Sequence, residues 1–291
     1  MRINLCTYAD KRYLHKLLAL ISSLKRNQPD WHLVVLGLDE EVQTVISDLV
    51  DQNISMLPLE ALQSWSPRLA AEQDRRSWRE YIFTLTPFLP AYLFERAQLP
   101  DVAYIDADCY LFHDLQPLYD ELGAARIAAI PHRWTPRHAE RLRDNGLFNV
   151  GWVYFQNIFS GRECLKDWAE DCLAHPGEDQ TFLDKWPGKW GQAFHSVQHL
   201  GANLAPWNQE QYTYLWFNGQ IWVEQTKSDD MGIALQEHVP VLFYHFHEFR
   251  ENPDGSFYRT GYRMGNDVAE YIYEPYEQEI THVRRELARQ R

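Results

Sequence analysis

Residues 3–57 alternate short apolar runs with segments whose apolar residues recur at helical spacing. Apolar runs of four to eight residues are typical of buried strands, and a recurrence every three or four positions is typical of helices. The predicted elements are strand Ile3–Thr7, helix Tyr13–Lys25, strand His32–Leu38, helix Glu40–Val50 and strand Ile54–Leu57. Strands alternating with helices predict a parallel sheet with right-handed crossovers. Residues 3–57 therefore predict a protein of the α/β class.

A further apolar run, Val102–Ile105, ends abruptly at Asp106 and Asp108, which are separated only by Ala107. Ligands of open α/β sheets bind at the carboxyl ends of strands, so these acids should lie in the binding crevice. Two carboxylates separated by one residue can point the same way once the chain leaves the pleat, and together they can bind one hard divalent cation. An isolated Asp-x-Asp is also common in solvated turns, but here apolar residues flank it on both sides.

The remaining elements are less regular. Residues 60–80 are polar and predict an irregular segment, and the helix from about Tyr81 to Ala97 should be interrupted at Pro87 and Pro90. Later patterns predict three strands and one helix, namely Ile127–Ile130, Gly151–Phe155, Val241–Phe246 and Glu163–Ala174. No internal repeat or low-complexity linker divides the sequence, which predicts one continuous domain followed by a helical tail from about residue 271.

The charge balance limits the partners. The chain has 28 basic and 41 acidic residues and a formal net charge of −13, which disfavours nucleic acid, because that binding depends on neutralising phosphates. Its four cysteines have no zinc-type spacing and indicate a reducing compartment. The N-terminus lacks the pattern of a secretory signal, and no apolar run approaches the roughly 18 residues of a membrane span. We expect a cytoplasmic protein with at most peripheral membrane contact.

The segment Tyr104–Phe112 resembles the metal-binding strand of GT-A fold glycosyltransferases. It is most similar to the retaining glycogenin-type and bacterial galactosyltransferase enzymes of family eight. Three more segments resemble the same family in the same order: the base-binding loop at Thr7–Leu14, an F-N-x-G segment at Phe148–Trp152 and a D-Q segment at Gly177–Leu183. The combined match spans roughly residues 1–250.

The resemblance implies a GT-A fold, which is a Rossmann-like mixed sheet flanked by helices, with a peripheral C-terminal helix. It implies a single catalytic domain over residues 1–270 and a helical tail over residues 271–291. Within the domain, the nucleotide-binding half would cover about residues 1–112. The acceptor and sugar half would cover about residues 113–270.

The activity implied by the resemblance is transfer of a sugar from a nucleotide-diphosphate donor, with a UDP-sugar favoured, to a hydroxyl group. The acceptor would be a carbohydrate or a lipid-linked glycan, the reaction would proceed with retention, and bacterial surface polysaccharide assembly would be the setting. The alternative is a non-catalytic carbohydrate- or nucleotide-binding protein on the same fold. A nucleotidyltransferase is disfavoured, because the first loop lacks the Gly-rich basic stretch that cradles a triphosphate.

The resemblance also assigns roles to individual residues. Those that would bind the nucleotide sugar are Thr7, Asp10, Asp106, Ala107, Asp108, Asn149 and Gly151. Asp179 would contact the transferred sugar or the acceptor, and Gln180 would lie near the anomeric carbon. By their chemistry alone, Asp10 and Asp179 also suit helix N-caps, and Asn149 with Gly151 suits a turn that leads into a strand.

A cation bound by Asp106 and Asp108 needs a further protein ligand, and the family supplies a late histidine. His245 matches that position, while His247 would face the same way in a strand and stays an alternative. An imidazole ligand shifts the preference from Mg²⁺ towards Mn²⁺. The family's glycine is replaced here by Glu248, and its Lys-Pro-Trp sequence is absent, two departures that concern the diphosphate-binding region.

Two basic groups carry further predictions. Arg79 lies near the place where the family has a donor-contacting basic residue, and a solvated basic face with Arg75 and Arg76 is the alternative. The tail could contact anionic lipid through its arginines, and a frayed, solvated tail is the alternative. Those arginines are Arg284, Arg285, Arg289 and Arg291, on a helix whose apolar side would carry Ile280, Val283 and Leu287.

Overall fold

The computed structural model describes residues 2–177, 179–228 and 234–290. Its strands are β1 Ile3–Ala9, β2 Trp31–Gly37, β3 Ile54–Pro58, β4 Asp101–Ile105, β5 Cys109–Leu111, β6 Ile127–Pro131, β7 Phe148–Gln156, β8 Phe194–Ser196, β9 Thr213–Phe217, β10 Gln220–Ser228, β11 Ala234–Pro240, β12 Phe243–His245, β13 Arg250–Glu251 and β14 Phe257–Tyr258. Its α-helices are α1 Leu14–Asn27, α2 Glu40–Asp48, α3 Leu59–Trp65, α4 Pro67–Glu72, α5 Trp78–Tyr92, α6 Gln116–Leu122, α7 Arg141–Asn145, α8 Phe159–Ala174, α9 Trp186–Trp190, α10 Asn266–Val268 and α11 Glu274–Gln290. Short 3-10 and π-helical turns connect several of them.

Within the described ranges, the main sheet has seven strands in the order β3-β2-β1-β4-β7-β6-β8. Neighbouring strands are parallel, except that β7 runs antiparallel to both β4 and β6. Helices α1 and α2 connect β1, β2 and β3, as the alternation over residues 3–57 predicts. The predicted fold class, a mixed sheet flanked by helices, is confirmed.

Two apolar clusters cover the two faces of this sheet. In β1, Ile3 and Leu5 belong to the cluster that contains residues of α1, α2 and α6, whereas Cys6 belongs to the cluster that contains residues of α5 and α8. Alternation along the strand follows from its side-chain period of two. Since both faces are buried, a ligand can approach the sheet only at an edge or a strand end.

The prediction of an irregular segment over residues 60–80 is wrong, because α3, α4 and the start of α5 lie there. Capping signals in the sequence account for two of these helices. The Ser66 hydroxyl accepts from the Leu69 amide at the start of α4, and Ser77 with Glu80 forms a capping box at the start of α5. The polar composition of the segment conceals these local signals.

The predicted interruption at Pro87 and Pro90 is also wrong, since α5 continues through both prolines to Tyr92. A proline lacks the amide that would bond the carbonyl four residues earlier. For Pro87 that carbonyl belongs to Phe83, and it lies 3.2 Å from the Thr86 hydroxyl, which is shared with Asp179 Oδ2 at 3.1 Å. Packing of the apolar face of α5 against the sheet holds the helix together across both positions.

The second half of the chain adds smaller antiparallel sheets: β12 pairs with β5, β10 lies between β9 and β11, and β13 pairs with β14. The predicted strand Gly151–Phe155 is longer in the structure and runs as β7 over nine residues. Asn149 and Gly151 therefore lie inside a strand and not in a turn. The predicted strand Val241–Phe246 is shorter, because β12 covers only Phe243–His245.

The predicted C-terminal helix is α11, and its apolar face packs beside α1. The residues of that face that are buried in the core clusters are Ile280, Val283 and Leu287. These side chains are not available to a lipid surface. Arg284 pairs with Glu251 at 2.9 Å, and Arg291 lies outside the described residues. No helix in the described part of the chain is long and apolar enough to cross a membrane.

Candidate active site

The candidate site lies at the edge of the sheet where β1, β4 and β6 have their carboxyl ends. Strand β7 runs the opposite way, so its first residues reach the same edge. A cavity of about 700 Å³ lies there. The sequence-predicted residues that line it are Asp10, Asp106, Ala107, Asp108, Asn149, Asp179, Gln180, His245 and His247. The sheet topology thus brings distant parts of the chain into one cleft.

Asp106, Asp108 and His245 direct their donor atoms to one place. One ligand atom from each residue lies within 4.8 Å of the other two. His245 Nε2 is 3.2 Å from Asp108 Oδ1 and 3.6 Å from Asp106 Oδ2. Two carboxylate oxygens and one imidazole nitrogen form a donor set that fits a divalent cation such as Mn²⁺ or Mg²⁺.

Backbone hydrogen bonds and strand register hold this cluster. The Asp106 amide donates to the Gly151 carbonyl of β7 at 3.1 Å, and the Asp106 carbonyl accepts from the Cys109 amide at 3.0 Å, which closes a tight turn. In the register of β5 and β12, His245 pairs with Cys109, the residue next to Asp108. The pairing of these two short strands therefore places the imidazole of His245 beside the two acids.

The two acids differ in their electrostatic surroundings. Burial raises the pKa of Asp106, and this effect outweighs the hydrogen bond of 2.7 Å that the Tyr104 hydroxyl donates to it. Burial acts on Asp108 too, but Lys16, whose Nζ is 3.3 Å away, and His245 outweigh it and lower the pKa of Asp108. In turn Asp108 raises the pKa of His245 against the effect of burial. Asp108 is therefore the better stabilised anion of the pair.

Gly151 allows His245 to approach the acids. A β-carbon at this position would lie 2.6 Å from His245 Nδ1 and 2.5 Å from Asn149 Oδ1. Both distances are steric clashes, so only glycine fits here. Asn149 Oδ1 accepts from the Gly151 amide at 2.9 Å and so fixes its own amide orientation. Gly151 is itself buried, and it makes room for the imidazole.

Asp179 and Gln180 line the cavity from the segment after α8. Asp179 Oδ2 accepts from the Thr86 hydroxyl at 3.1 Å. Gln180 Oε1 accepts from Asn149 Nδ2 at 3.4 Å. The N-cap of the 3-10 helix that follows is Gln180, without a side-chain cap bond. Glu178, in the same predicted segment, lies outside the described residues.

Asp10 also lines the cavity. Its carboxylate accepts from the backbone amide of Arg12 at 3.0 Å, from Arg12 Nε at 2.8 Å and from the Trp78 indole at 3.2 Å. Burial opposes ionisation, but these hydrogen bonds outweigh it and lower the pKa of Asp10. The N-cap position of α1 is Tyr13, so the helix-cap alternative for Asp10 is wrong.

Thr7 lies inside strand β1, because that strand continues to Ala9 and does not end at Thr7 as predicted. Its side chain is fully buried, and its hydroxyl has no hydrogen-bond partner among residues 2–177, 179–228 and 234–290. The cavity is lined instead by Tyr8 and Ala9 together with Asp10. Because the strand is longer than predicted, the cavity is lined by residues 8–10 and not by Thr7.

The cavity also has an aromatic cluster that the sequence patterns did not reveal. His132 stacks on Trp134 with ring centroids 4.4 Å apart, and Trp207 contacts both rings. Burial lowers the pKa of His132 to about 3, so its ring is neutral, and its Nε2 accepts from Asn149 Nδ2 at 3.3 Å. His132 follows the carboxyl end of β6, so the strand-end argument that identifies Asp106 could also have found it.

Three of the basic residues near the site, Lys16, Arg79 and Arg76, differ in their contacts. Lys16 belongs to a helix whose buried residues are mostly apolar, and no sequence pattern singles it out. Arg79 lines the cavity. Arg76 has a structural role, because it bonds Glu72 and the Cys172 carbonyl.

Glu248 lines the cavity at a position where the family has glycine. Its φ of 67° lies in the left-handed region, which glycine adopts without steric cost. The Glu248 carboxylate accepts from the Gly261 amide at 2.9 Å, which ties this turn to the segment after β14. The backbone at this position therefore keeps a conformation that favours glycine, although the residue is a glutamate.

The mixed sheet flanked by helices, with its antiparallel strand β7, has the GT-A glycosyltransferase fold. The structure of the galactosyltransferase LgtC in complex with donor and acceptor sugar analogs is similar, with a TM-score of 0.58 at 15% sequence identity over 96% of each chain. An active-site mutant of LgtC gives a TM-score of 0.59 at the same identity and coverage. At this level of identity the likeness establishes the fold alone.

No protein-family model matches the chain. Two proteins of Bacillus subtilis strain 168 are similar to it along nearly their whole length. The uncharacterized protein YfnD is 27% identical over 286 residues, which are 93% of this chain and 86% of YfnD. The uncharacterized protein YfnF is 26% identical over 296 residues, with 96% and 91% covered. Neither name assigns an activity, so the function has to be argued from the site.

Proposed function

We propose that this protein is a metal-dependent glycosyltransferase that moves a sugar from a nucleotide-diphosphate donor to a hydroxyl group. The observation that carries the proposal is the cluster of Asp106, Asp108 and His245 in a cavity that Asp179 and Gln180 also line. At about 700 Å³, the cavity is in the size range of small-molecule sites. The fold supports the same activity, because LgtC is a galactosyltransferase.

Asp106, Asp108 and His245 would hold Mn²⁺ or Mg²⁺, with Mn²⁺ favoured by the imidazole. The bound ion would offset the charge of the donor's two phosphates and stabilise the nucleotide diphosphate as it leaves. Lys16 already offsets part of the negative charge at Asp108. His247 is the less suitable ligand, since its ring is perpendicular to that of His245 with centroids 6.2 Å apart, and the donor cluster forms with His245.

The two halves of the catalytic domain would divide the substrates between them. About residues 1–112 would bind the nucleotide, with Asp10 facing the base, and about residues 113–270 would bind the sugar and the acceptor. Asp179 would contact the sugar or the acceptor, and Gln180 would lie near the anomeric carbon, held by its bond from Asn149. We expect retention of configuration, on the strength of the family resemblance.

A UDP-sugar is the donor we favour, and a carbohydrate or lipid-linked glycan is the acceptor. The aromatic cluster of His132, Trp134 and Trp207 supports a sugar site, because the apolar face of a pyranose packs on aromatic rings. The four cysteines are buried free thiols, which suits the reducing cytoplasm, where we place the protein. Surface polysaccharide assembly in bacteria is the pathway we propose.

The test is incubation of the purified protein with UDP-, GDP-, CMP- and dTDP-sugars, with Mn²⁺ or with a chelator. A thermal-shift screen with the same ligands identifies the donor, because a ligand that binds only the folded state raises its apparent stability. We expect metal-dependent release of nucleotide from one class of donor, and an NMR assay of the product reports its anomeric configuration. Binding without any release would instead identify a non-catalytic binding protein, and the absence of both would reject the proposal.

A further inference from the structure

Two buried polar atoms border the space that a side chain at position 151 would occupy. They are His245 Nδ1 and Asn203 Oδ1, and neither has a hydrogen-bond partner within the part of the chain that the structure describes. A β-carbon built on Gly151 would lie 2.6 Å from the first atom and 3.1 Å from the second, so both border one small space. An unpaired buried polar atom is costly, so we expect an acceptor and a ring nitrogen that border the same space to satisfy each other.

The neighbouring amide cannot serve His245 Nδ1. Asn149 Oδ1 already accepts from the Gly151 amide at 2.9 Å and from Asn203 Nδ2 at 3.0 Å, which uses both of its lone pairs. The second of these bonds also orients the Asn203 amide, so its oxygen is the atom left over. Asn203 Oδ1 is therefore the free acceptor beside the imidazole.

The backbone holds Asn203 in place relative to His245. The φ of Asn203 is 53°, in the left-handed region that asparagine tolerates better than most residues. The next residue, Leu204, forms a β-bridge with Tyr244, and its carbonyl accepts from the His245 amide at 2.7 Å. The backbone segments that carry Asn203 and His245 are thus paired with each other.

We propose that Asn203 is the positioning residue of this metal site. Its Oδ1 accepts the Nδ1 proton of His245, and this keeps the lone pair of Nε2 free to bind the divalent cation. Partners of this kind fix the tautomer and the ring orientation of metal-binding histidines. Asn203 also donates to Asn149, which in turn donates to Gln180, so a chain of amides connects the metal site to the predicted sugar site. This inference rests on the proposed metal site.

The experiment compares Mn²⁺ binding to the wild-type protein and to variants, measured as loss of the free-ion electron paramagnetic resonance signal with and without UDP. Asn203→Gly removes the acceptor and adopts the left-handed φ without strain. It should weaken Mn²⁺ binding about 10- to 100-fold. Asn203→Asp keeps the acceptor but loses the bond to Asn149, and it should bind Mn²⁺ at least as well as the wild type.

The matched control is Asn4→Gly, because Asn4 is also buried but bonds Asp101 at the other end of β1. This variant should be less stable and bind Mn²⁺ normally. Equal loss of binding in Asn203→Gly and Asn203→Asp would mean that the residue acts only through the fold, and unchanged binding in Asn203→Gly would overturn the inference. If the wild-type protein binds no Mn²⁺, it is the proposed metal site that fails.

A second measurement needs no Asn203 variant. Long-range ¹H–¹⁵N spectra of the imidazoles distinguish the two neutral tautomers, and His245→Gln identifies the signals of His245. We expect the tautomer with the proton on Nδ1, in the presence of Mg²⁺ as a diamagnetic ion. A proton on Nε2 under those conditions would contradict the proposal directly.

Discussion

Two groups of residues in the cavity differ in their charge. The acid group, Asp106, Asp108 and His245, is ionisable, and the cation Lys16 balances part of its charge. The amide group, Asn149 and Gln180, is neutral, and a hydrogen bond of 3.4 Å joins its members. Changes in the acid group should therefore alter metal affinity and the charge balance, whereas changes in the amide group should alter orientation and rate.

The largest effect should come from Asp106→Asn and Asp108→Asn. Each should reduce sugar transfer by more than about 10²-fold, the range for loss of one preorganised electrostatic contact. The measurement is initial-rate kinetics at saturating Mn²⁺. Undiminished metal-dependent activity in both variants would remove the acid group from the mechanism.

The same two variants should differ in stability without metal. Asp106→Asn should leave the free energy of unfolding unchanged or raise it, because burial disfavours the charged form of Asp106. Asp108→Asn should destabilise the protein by about 2 kcal/mol, because it leaves Lys16 without its charged partner. Denaturant titrations measure the difference, and equal shifts would show that the two acids share one environment.

His245→Ala should weaken Mn²⁺ dependence more than His247→Ala does. Only His245 has its Nε2 beside both carboxylates, while His247 lines the cavity without joining the donor cluster. The concentration of Mn²⁺ that gives half-maximal activity is the quantity to compare. The opposite ranking would identify His247 as the ligand.

Gln180→Ala should lower kcat about 10- to 100-fold while leaving Mn²⁺ affinity unchanged, because Gln180 lines the cavity without belonging to the donor cluster. Kinetics paired with a Mn²⁺ titration of the same preparation measure both effects. A parallel loss of metal affinity would show that the two groups act as one unit.

The smallest effect should come from Lys16→Met. Removal of this cation from Asp108 should tighten Mn²⁺ binding up to about tenfold, since a unit charge at this distance contributes on the order of 1 kcal/mol at high dielectric. Lys16→Arg keeps the charge and should bind Mn²⁺ normally. Weaker binding in Lys16→Met would indicate that the lysine supports the metal and does not compete with it.

The difference between the two groups also explains how far each could be predicted. Asp106 and Asp108 follow an apolar run, and the end of a strand is a local feature that a short window of sequence contains. Lys16 approaches Asp108 because α1 packs beside β5, the strand that follows Asp108, and no sequence pattern near Lys16 predicts that contact. The strand that contains Thr7 extends two residues beyond its predicted end, because a strand end is uncertain by a few residues even where the strand itself is evident.

The sequence by itself determined the α/β class, the order of the opening elements and the position of the acid pair, since apolar periodicity and strand ends are local properties of the chain. Only the tertiary structure decided which histidine meets the acids, because the register of β5 and β12 places His245 next to Asp108. It also decided that Asn149 and Gly151 lie within β7 and that Asn203 Oδ1 borders the same small space as His245 Nδ1. These contacts depend on how distant segments of the chain pair and pack. The pairing register of two strands is set by the whole fold and not by any short stretch of sequence.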